Sequence, residues 1–223
     1  MSPPEGTAIM SGDVLERLSS MLILPVIEID DADRAAPLAD ALVAAGLPCA
    51  EVTFRTPAAA AAIEAIAARH PDLLLGAGTV LSATQADRAL SCGAQFLVSP
   101  GCNPEVVRHA QVMGAVMLPG VCTPTEVEAA LALGAGVLKF FPAGPVGGPA
   151  YLKALTAPYP DVRFVPTGGI DAASLPGYLA IDQVLAVGGS WIAPRAQITA
   201  GRFDLIESAA RAAVTAARAA RPG

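Results

Sequence analysis

Eight short apolar runs, each followed by an Ala-rich stretch, recur about every 20 to 25 residues and predict an α/β chain. So regular an alternation gives a parallel sheet closed on itself, a single (β/α)8 TIM barrel with a short N-terminal helix. No linker or shift of composition divides the 223 residues. The expected domain is 1–223, with the barrel at about 20–194, a capping segment over 1–20 and a C-terminal helix at about 203–219.

The strands read as Leu22–Ile29, Ala50–Phe54, Leu73–Ala77, Gln95–Ser99, Val116–Leu118, Val137–Phe141, Arg163–Pro166 and Gln183–Val187. Helices are expected near 33–45, 57–69, 84–91, 104–112, 124–133, 149–156 and 172–179, and Asp13–Ser20 as a short helix over the barrel bottom. Thr56-Pro57, Asn103-Pro104 and Thr123-Pro124 each set a capping side chain before a proline at the first helical position. Gly46, Gly93, Gly114 and Gly134 read as left-handed helix stops.

Composition narrows the function. With 53% hydrophobic residues, 15% charged residues and a net charge of −6, the chain has a large core and no basic stripe for nucleic acid. Gly and Pro interrupt every long uncharged segment, so no membrane span is expected, and Met1-Ser2-Pro3-Pro4-Glu5 lacks the start of a signal peptide. A cytoplasmic location is the expectation. Cys49, Cys92, Cys102 and Cys122 show no C-x-x-C pairing, and with two histidines they give a metal site little support. They are expected to be reduced and mostly buried.

Lys139 is one of only two lysines and lies inside Val137-Leu138-Lys139-Phe140-Phe141-Pro142. An ammonium within a strand must be paired or lose its proton, because desolvation disfavours the charged form. A neutral lysine can form a Schiff base with a carbonyl; a snorkelling lysine or a structural ion pair is the alternative. Lys153, on a predicted helix, reads as solvated. The second strand, Ala50-Glu51-Val52-Thr53-Phe54-Arg55, puts Glu51, Thr53 and Arg55 on one face by its period of two, with Val52 and Phe54 facing the helices. Glu51 and Lys139 would then face each other across the barrel mouth. A structural Glu–Arg pair is the competing explanation for the second strand.

Two glycine-rich turns are expected after the seventh and eighth strands, Pro166-Thr167-Gly168-Gly169-Ile170 and Val187-Gly188-Gly189-Ser190-Trp191. Backbone N–H groups in such turns cradle phosphate, and barrels often place that site there. Gly76-Ala77-Gly78-Thr79 and Ser99-Pro100-Gly101 end two further strands with small residues that let a ligand approach the backbone.

Together with Pro25-Val26-Ile27, Lys139-Phe140-Phe141-Pro142-Ala143 and the segments above, these motifs resemble the 2-dehydro-3-deoxy-phosphogluconate aldolase family. Its members are class I aldolases of the Entner–Doudoroff pathway and their 4-hydroxy-2-oxoglutarate-cleaving relatives. The resemblance runs over about 20–194 in the family's order, and the match weakens after Pro194. It implies Lys139 as the Schiff-base lysine and Glu51 as general acid/base. It implies Arg55, Thr79 and Pro100, with Phe141, around the pyruvate end, and Thr167, Gly168, Gly169, Gly189 and Ser190 around the phosphate. The implied substrate is a phosphorylated keto acid, the implied assembly a homotrimer, and no cofactor is expected. Between Ala143 and Pro149 two prolines depart from the family's usual segment. Galactonate-derived phosphates, and an epimerase or decarboxylase barrel without an imine, remain the alternatives.

Overall fold

The computed structural model describes residues 5–221; Met1–Pro4, part of the expected capping segment, and Pro222–Gly223 lie outside them. The strands are β1 (Ile23–Ile27), β2 (Cys49–Thr53), β3 (Leu74–Gly78), β4 (Phe96–Val98), β5 (Val116–Leu118), β6 (Gly120–Val121), β7 (Val137–Phe140), β8 (Arg163–Pro166) and β9 (Val187–Gly189). All pair in parallel, in a six-stranded sheet ordered β5-β4-β3-β2-β1-β9 and a three-stranded sheet ordered β6-β7-β8. Isolated bridges Phe164↔Val184 and Thr167↔Gly188 join the second sheet toward β9.

Two expectations about strands are corrected. The fifth strand is two pieces, because Pro119 between β5 and β6 has no N–H to give to a ladder. The last strand lies later than Gln183–Val187. Gly188 and Gly189 are extended and pair with Leu24 and Pro25 of β1, so that glycine pair is strand rather than turn.

The helices are α1 (Glu5–Met21), α2 (Ala35–Ala44) after a short 3-10 turn, α3 (Ala59–Arg69), α4 (Ala83–Ser91), α5 (Pro104–Val112), α6 (Pro124–Ala132), α7 (Gly148–Thr156), α8 (Leu175–Leu179), α9 (Arg195–Thr199) and α10 (Phe203–Ala220). Asn103 and Thr123 cap α5 and α6 as the sequence suggests, and Thr123 forms a full capping box with Glu126. Thr56 does not cap α3: its hydroxyl donates to the Ile29 carbonyl, and the helix starts at Ala59 without a side-chain cap. The four helix-stop glycines have φ between +71° and +104°, where a side chain would be strained. Under the sheets, α1 buries Val14 and Leu18, and Arg17 donates to Gln95 and to the Asp72 carbonyl at the strands' amino ends. It is longer than the expected Asp13–Ser20 helix.

Only Cys49 is buried; Cys92, Cys102 and Cys122 are half-buried, against expectation. Burial pushes the Cys49 thiol up to about 12, with the Arg17 charge opposing, and its Sγ lies 3.2 Å from the Ile23 carbonyl oxygen. Among the described residues no helix is long and apolar enough to cross a membrane.

Candidate active site

Glu51 and Lys139 come from strands of different sheets and meet in the interior between them. Lys139 Nζ lies 3.5 Å from Glu51 Oε1, with the two side chains only 3% and 1% exposed. Strand pairing sets this up: Glu51 stands beside Val26 and Gly76, and Lys139 beside Gly120 and Val165. The Lys139 backbone N–H is spent on the Pro119 carbonyl, so its strand is pinned where β5 gives way to β6. Nζ also sits 5.1 Å from the centre of the Phe141 ring, within cation–π range. Glu51 Oε1 has no hydrogen-bond partner among the described residues.

Gly78 explains how the carboxylate fits. A Cβ there would overlap the Glu51 carboxyl group, so the bare face of β3 is a socket for a side chain of β2. Two other glycines act alike. A Cβ at Gly188 would collide with the buried Thr167 hydroxyl, and one at Gly189 with the Trp191 ring. At these three positions the missing Cβ leaves room for a neighbouring side chain.

Thr53, on the same face as Glu51, is buried and donates 2.9 Å to the Ile27 carbonyl, which leaves it a structural role. Arg55 emerges at the exposed mouth. Its Nε lies 3.3 Å from the Thr79 hydroxyl, and Thr79 has φ +57°, a rare conformation for a branched residue. Pro100 is half-buried, and its carbonyl packs against the bare Cα of Gly120. Gly168 and Gly169 do form a turn, with φ of +92° and +70°. That turn is zipped to the loop after β7: Ala143 N–H donates to the Thr167 carbonyl at 2.9 Å and Gly144 N–H to the Gly168 carbonyl at 2.8 Å. Pro145 packs on Gly169, so the two prolines of this loop belong to a fixed corner that leads into α7. Lys153, on α7, is exposed as expected.

A cavity of about 320 Å³ opens at the mouth between β1, β2 and β9, lined by Glu28, Thr53, Arg55, Ser190 and Arg195 among others. Lys139 and Glu51 are not part of its wall. It joins the predicted Arg55 and Ser190 to Glu28 and Arg195, which sequence reasoning missed. Glu28 gave the same signal as Lys139, a charge within an apolar run, in Val26-Ile27-Glu28-Ile29. Arg195 gave none, because an arginine at the start of a short helix shows no local pattern that marks a site. Among the described residues no cluster of three or more His, Cys, Asp or Glu could hold a metal ion.

The profile of the family described as "Aldolase: KDPG and KHG aldolase" matches residues 14–209. The chain belongs to that family. The 2-dehydro-3-deoxy-phosphogluconate aldolase of Treponema pallidum is 49% identical over 193 residues, 86% of this chain and 92% of that protein. The KHG/KDPG aldolase of Escherichia coli is 41% identical over 196 residues, 88% and 92% of the two chains. Among solved structures, the KDPG aldolase of Legionella pneumophila superposes with a TM-score of 0.86 at 38% identity, covering 89% of this chain and 97% of that one. That structure holds pyruvate captured at low pH as a covalent carbinolamine intermediate.

Proposed function

We propose that this protein is a class I aldolase that cleaves 2-dehydro-3-deoxy-6-phosphogluconate to pyruvate and glyceraldehyde 3-phosphate through a Schiff base on Lys139. The observation that carries the reading is a lysine and a carboxylate, both buried, 3.5 Å apart inside a family member. Burying such a pair carries a desolvation cost that favours a functional reading, and imine chemistry needs an amine beside a proton carrier.

Lys139, as its free base, attacks the C2 ketone. Glu51 moves protons as the carbinolamine loses water to an iminium. The C3–C4 bond then breaks with its electron pair flowing to the iminium nitrogen, which gives an enamine. Glu51 accepts the proton of the C4 hydroxyl and glyceraldehyde 3-phosphate departs. Protonation at C3 and hydrolysis release pyruvate and restore the lysine. Arg55, beside Thr79, supplies the planar donor pair for the substrate carboxylate. Pro100 and Phe141 line the pyruvate end, with the Phe141 ring against Nζ. Thr167, Gly168, Gly169, Gly189 and Ser190 surround the phosphate; the left-handed turn at Gly168 and Gly169 and the exposed Ser190 support this.

We further propose that the strands close as one eight-stranded barrel in a single domain, with β5 and β6 counted as one strand. The bridges toward β9 and the bond from Gly120 N–H to the Gly101 carbonyl support closure. A cytoplasmic homotrimer is the assembly proposed by family resemblance.

Purified protein should release pyruvate from 2-dehydro-3-deoxy-6-phosphogluconate, and its rates on the galactonate epimer and on 4-hydroxy-2-oxoglutarate define its substrate range. Absence of pyruvate release from all three would overturn the reading.

A further inference from the structure

Two carboxylates stand at this cavity without a use in the proposed reaction: Glu28 in its wall, and Asp30 bonded to the lining Arg195. Glu28, just past the end of β1, divides its oxygens between two arginines. Its Oε1 accepts from Arg195 Nη1 at 2.5 Å, and its Oε2 accepts from Arg55 Nη1 at 3.4 Å. Arg195 in turn donates through Nε and Nη2 to both oxygens of Asp30, at 2.7 and 2.6 Å. Hydrogen bonding to Asp30 holds the Arg195 guanidinium above its ordinary range, and the same bonds hold Asp30 below its own. Glu28 and Asp30 follow β1, Arg55 follows β2 and Arg195 opens α9 after β9, and they meet because β1 pairs with both β2 and β9.

The grip is unequal. Arg195 is held at short range by two carboxylates, whereas Arg55 has only the long contact to Glu28 and the 3.3 Å contact to Thr79. A carboxylate within reach of Arg55 competes with any substrate carboxylate for the same planar donor pair. A glutamate released from other partners would close on the nearest guanidinium, since attraction rises as separation falls. Glu28 is therefore a built-in competitor whose position decides whether Arg55 is open.

We propose that Arg195 is a positioning residue that draws Glu28 away from Arg55 and so leaves the Arg55 donor pair free for the carboxylate of the keto acid. This rests on the reading of Arg55 as the carboxylate-binding group. Affinity for the keto acid is then set by how Glu28 is shared between two arginines, while the chemistry at Lys139 is untouched. Arg195 and Asp30 are about half exposed, so changing them does not open the core.

The test uses the full chain with pyruvate as the probe. Borohydride-trapped adduct on Lys139 is followed against pyruvate concentration. Arg195→Ala should raise the half-saturating pyruvate concentration about fivefold, the scale of an exposed ion pair, with the plateau of adduct unchanged. Arg195→Lys, which keeps the charge near Glu28, should stay closer to the parent value. Adding Glu28→Gln to Arg195→Ala should bring half-saturation back to within about twofold of the parent, because the competitor has gone. A merely structural Arg195 predicts no such rescue. The inference is overturned if Arg195→Ala leaves half-saturation unchanged, or raises it without rescue by Glu28→Gln. Arg55→Ala separates the two levels. If it does not raise half-saturation, the role of Arg55 fails and this inference with it; if it does while Arg195→Ala does not, only this inference falls.

Discussion

Two groups of opposite charges stand near the carboxyl ends of the strands, built on contrary terms. Lys139 and Glu51 are buried and 3.5 Å apart, and the carboxylate oxygen that faces the amine makes no hydrogen bond among the described residues. Arg195, Asp30 and Glu28 are partly exposed and joined by contacts of 2.5 to 2.7 Å. Judged by distance, the second group is the stronger. In water, however, such pairs contribute little, whereas a buried ion pair without good hydrogen bonds does not recover the desolvation of its charges. Short contacts therefore mark the scaffold of the mouth, and the loosely held buried pair marks where chemistry can occur.

Removing the buried amine should have the largest effect. Lys139→Ala should lower kcat/KM for cleavage by at least about 10³-fold, since among the described residues no other amine stands beside Glu51. Normal cleavage by this variant at matched protein concentration would refute the assignment. Next comes Glu51→Gln, for which proton transfer by a placed group is worth about 10²–10⁴-fold in kcat. Imine formation with pyruvate should be weakened but not abolished. A variant with undiminished kcat would move the proton carrier elsewhere.

Gly78→Ala probes the socket that the exposed group lacks. The added methyl must displace the Glu51 carboxylate or β3, at a cost of about 1–3 kcal/mol in chemical denaturation. Turnover should fall along with stability. Full activity and full stability together would show that Glu51 does not depend on the bare face of Gly78.

The smallest expected effect concerns a carboxylate that is purely structural. Burial pushes the Glu126 carboxyl up, but the N–H groups of Cys122 and Thr123 and the Thr123 hydroxyl more than offset this and hold it below its ordinary range. Its contribution to stability is thus present above the unfolded value of 4.5 and is lost as pH falls through the lower folded value. Thr123→Ala should cost about 1 kcal/mol at neutral pH with kcat unchanged. Glu126→Gln should be less stable than the parent at neutral pH, with the gap closing below pH 4.5. A gap that persists or widens in acid would contradict the sign.

What the sequence made legible follows from local pattern. A charge in an apolar strand run located Lys139, and the period of two located Glu51, because strand geometry alone decides which face a residue takes. The strand split at Pro119 could have been read from the missing N–H. The extended Gly188 and Gly189 were misread because glycine permits both turn and strand, and only pairing with β1 settles the choice. The link between Glu28 and Arg195 was hidden for another reason. These residues are 167 positions apart, and no local pattern encodes a contact made by sheet closure.

The most direct measurement is mass spectrometry of the protein after borohydride reduction with pyruvate. The expected result is a single 1-carboxyethyl group on Lys139, absent from Lys139→Ala. An unmodified Lys139, or the same adduct formed on Lys153 instead, would contradict the Schiff-base assignment.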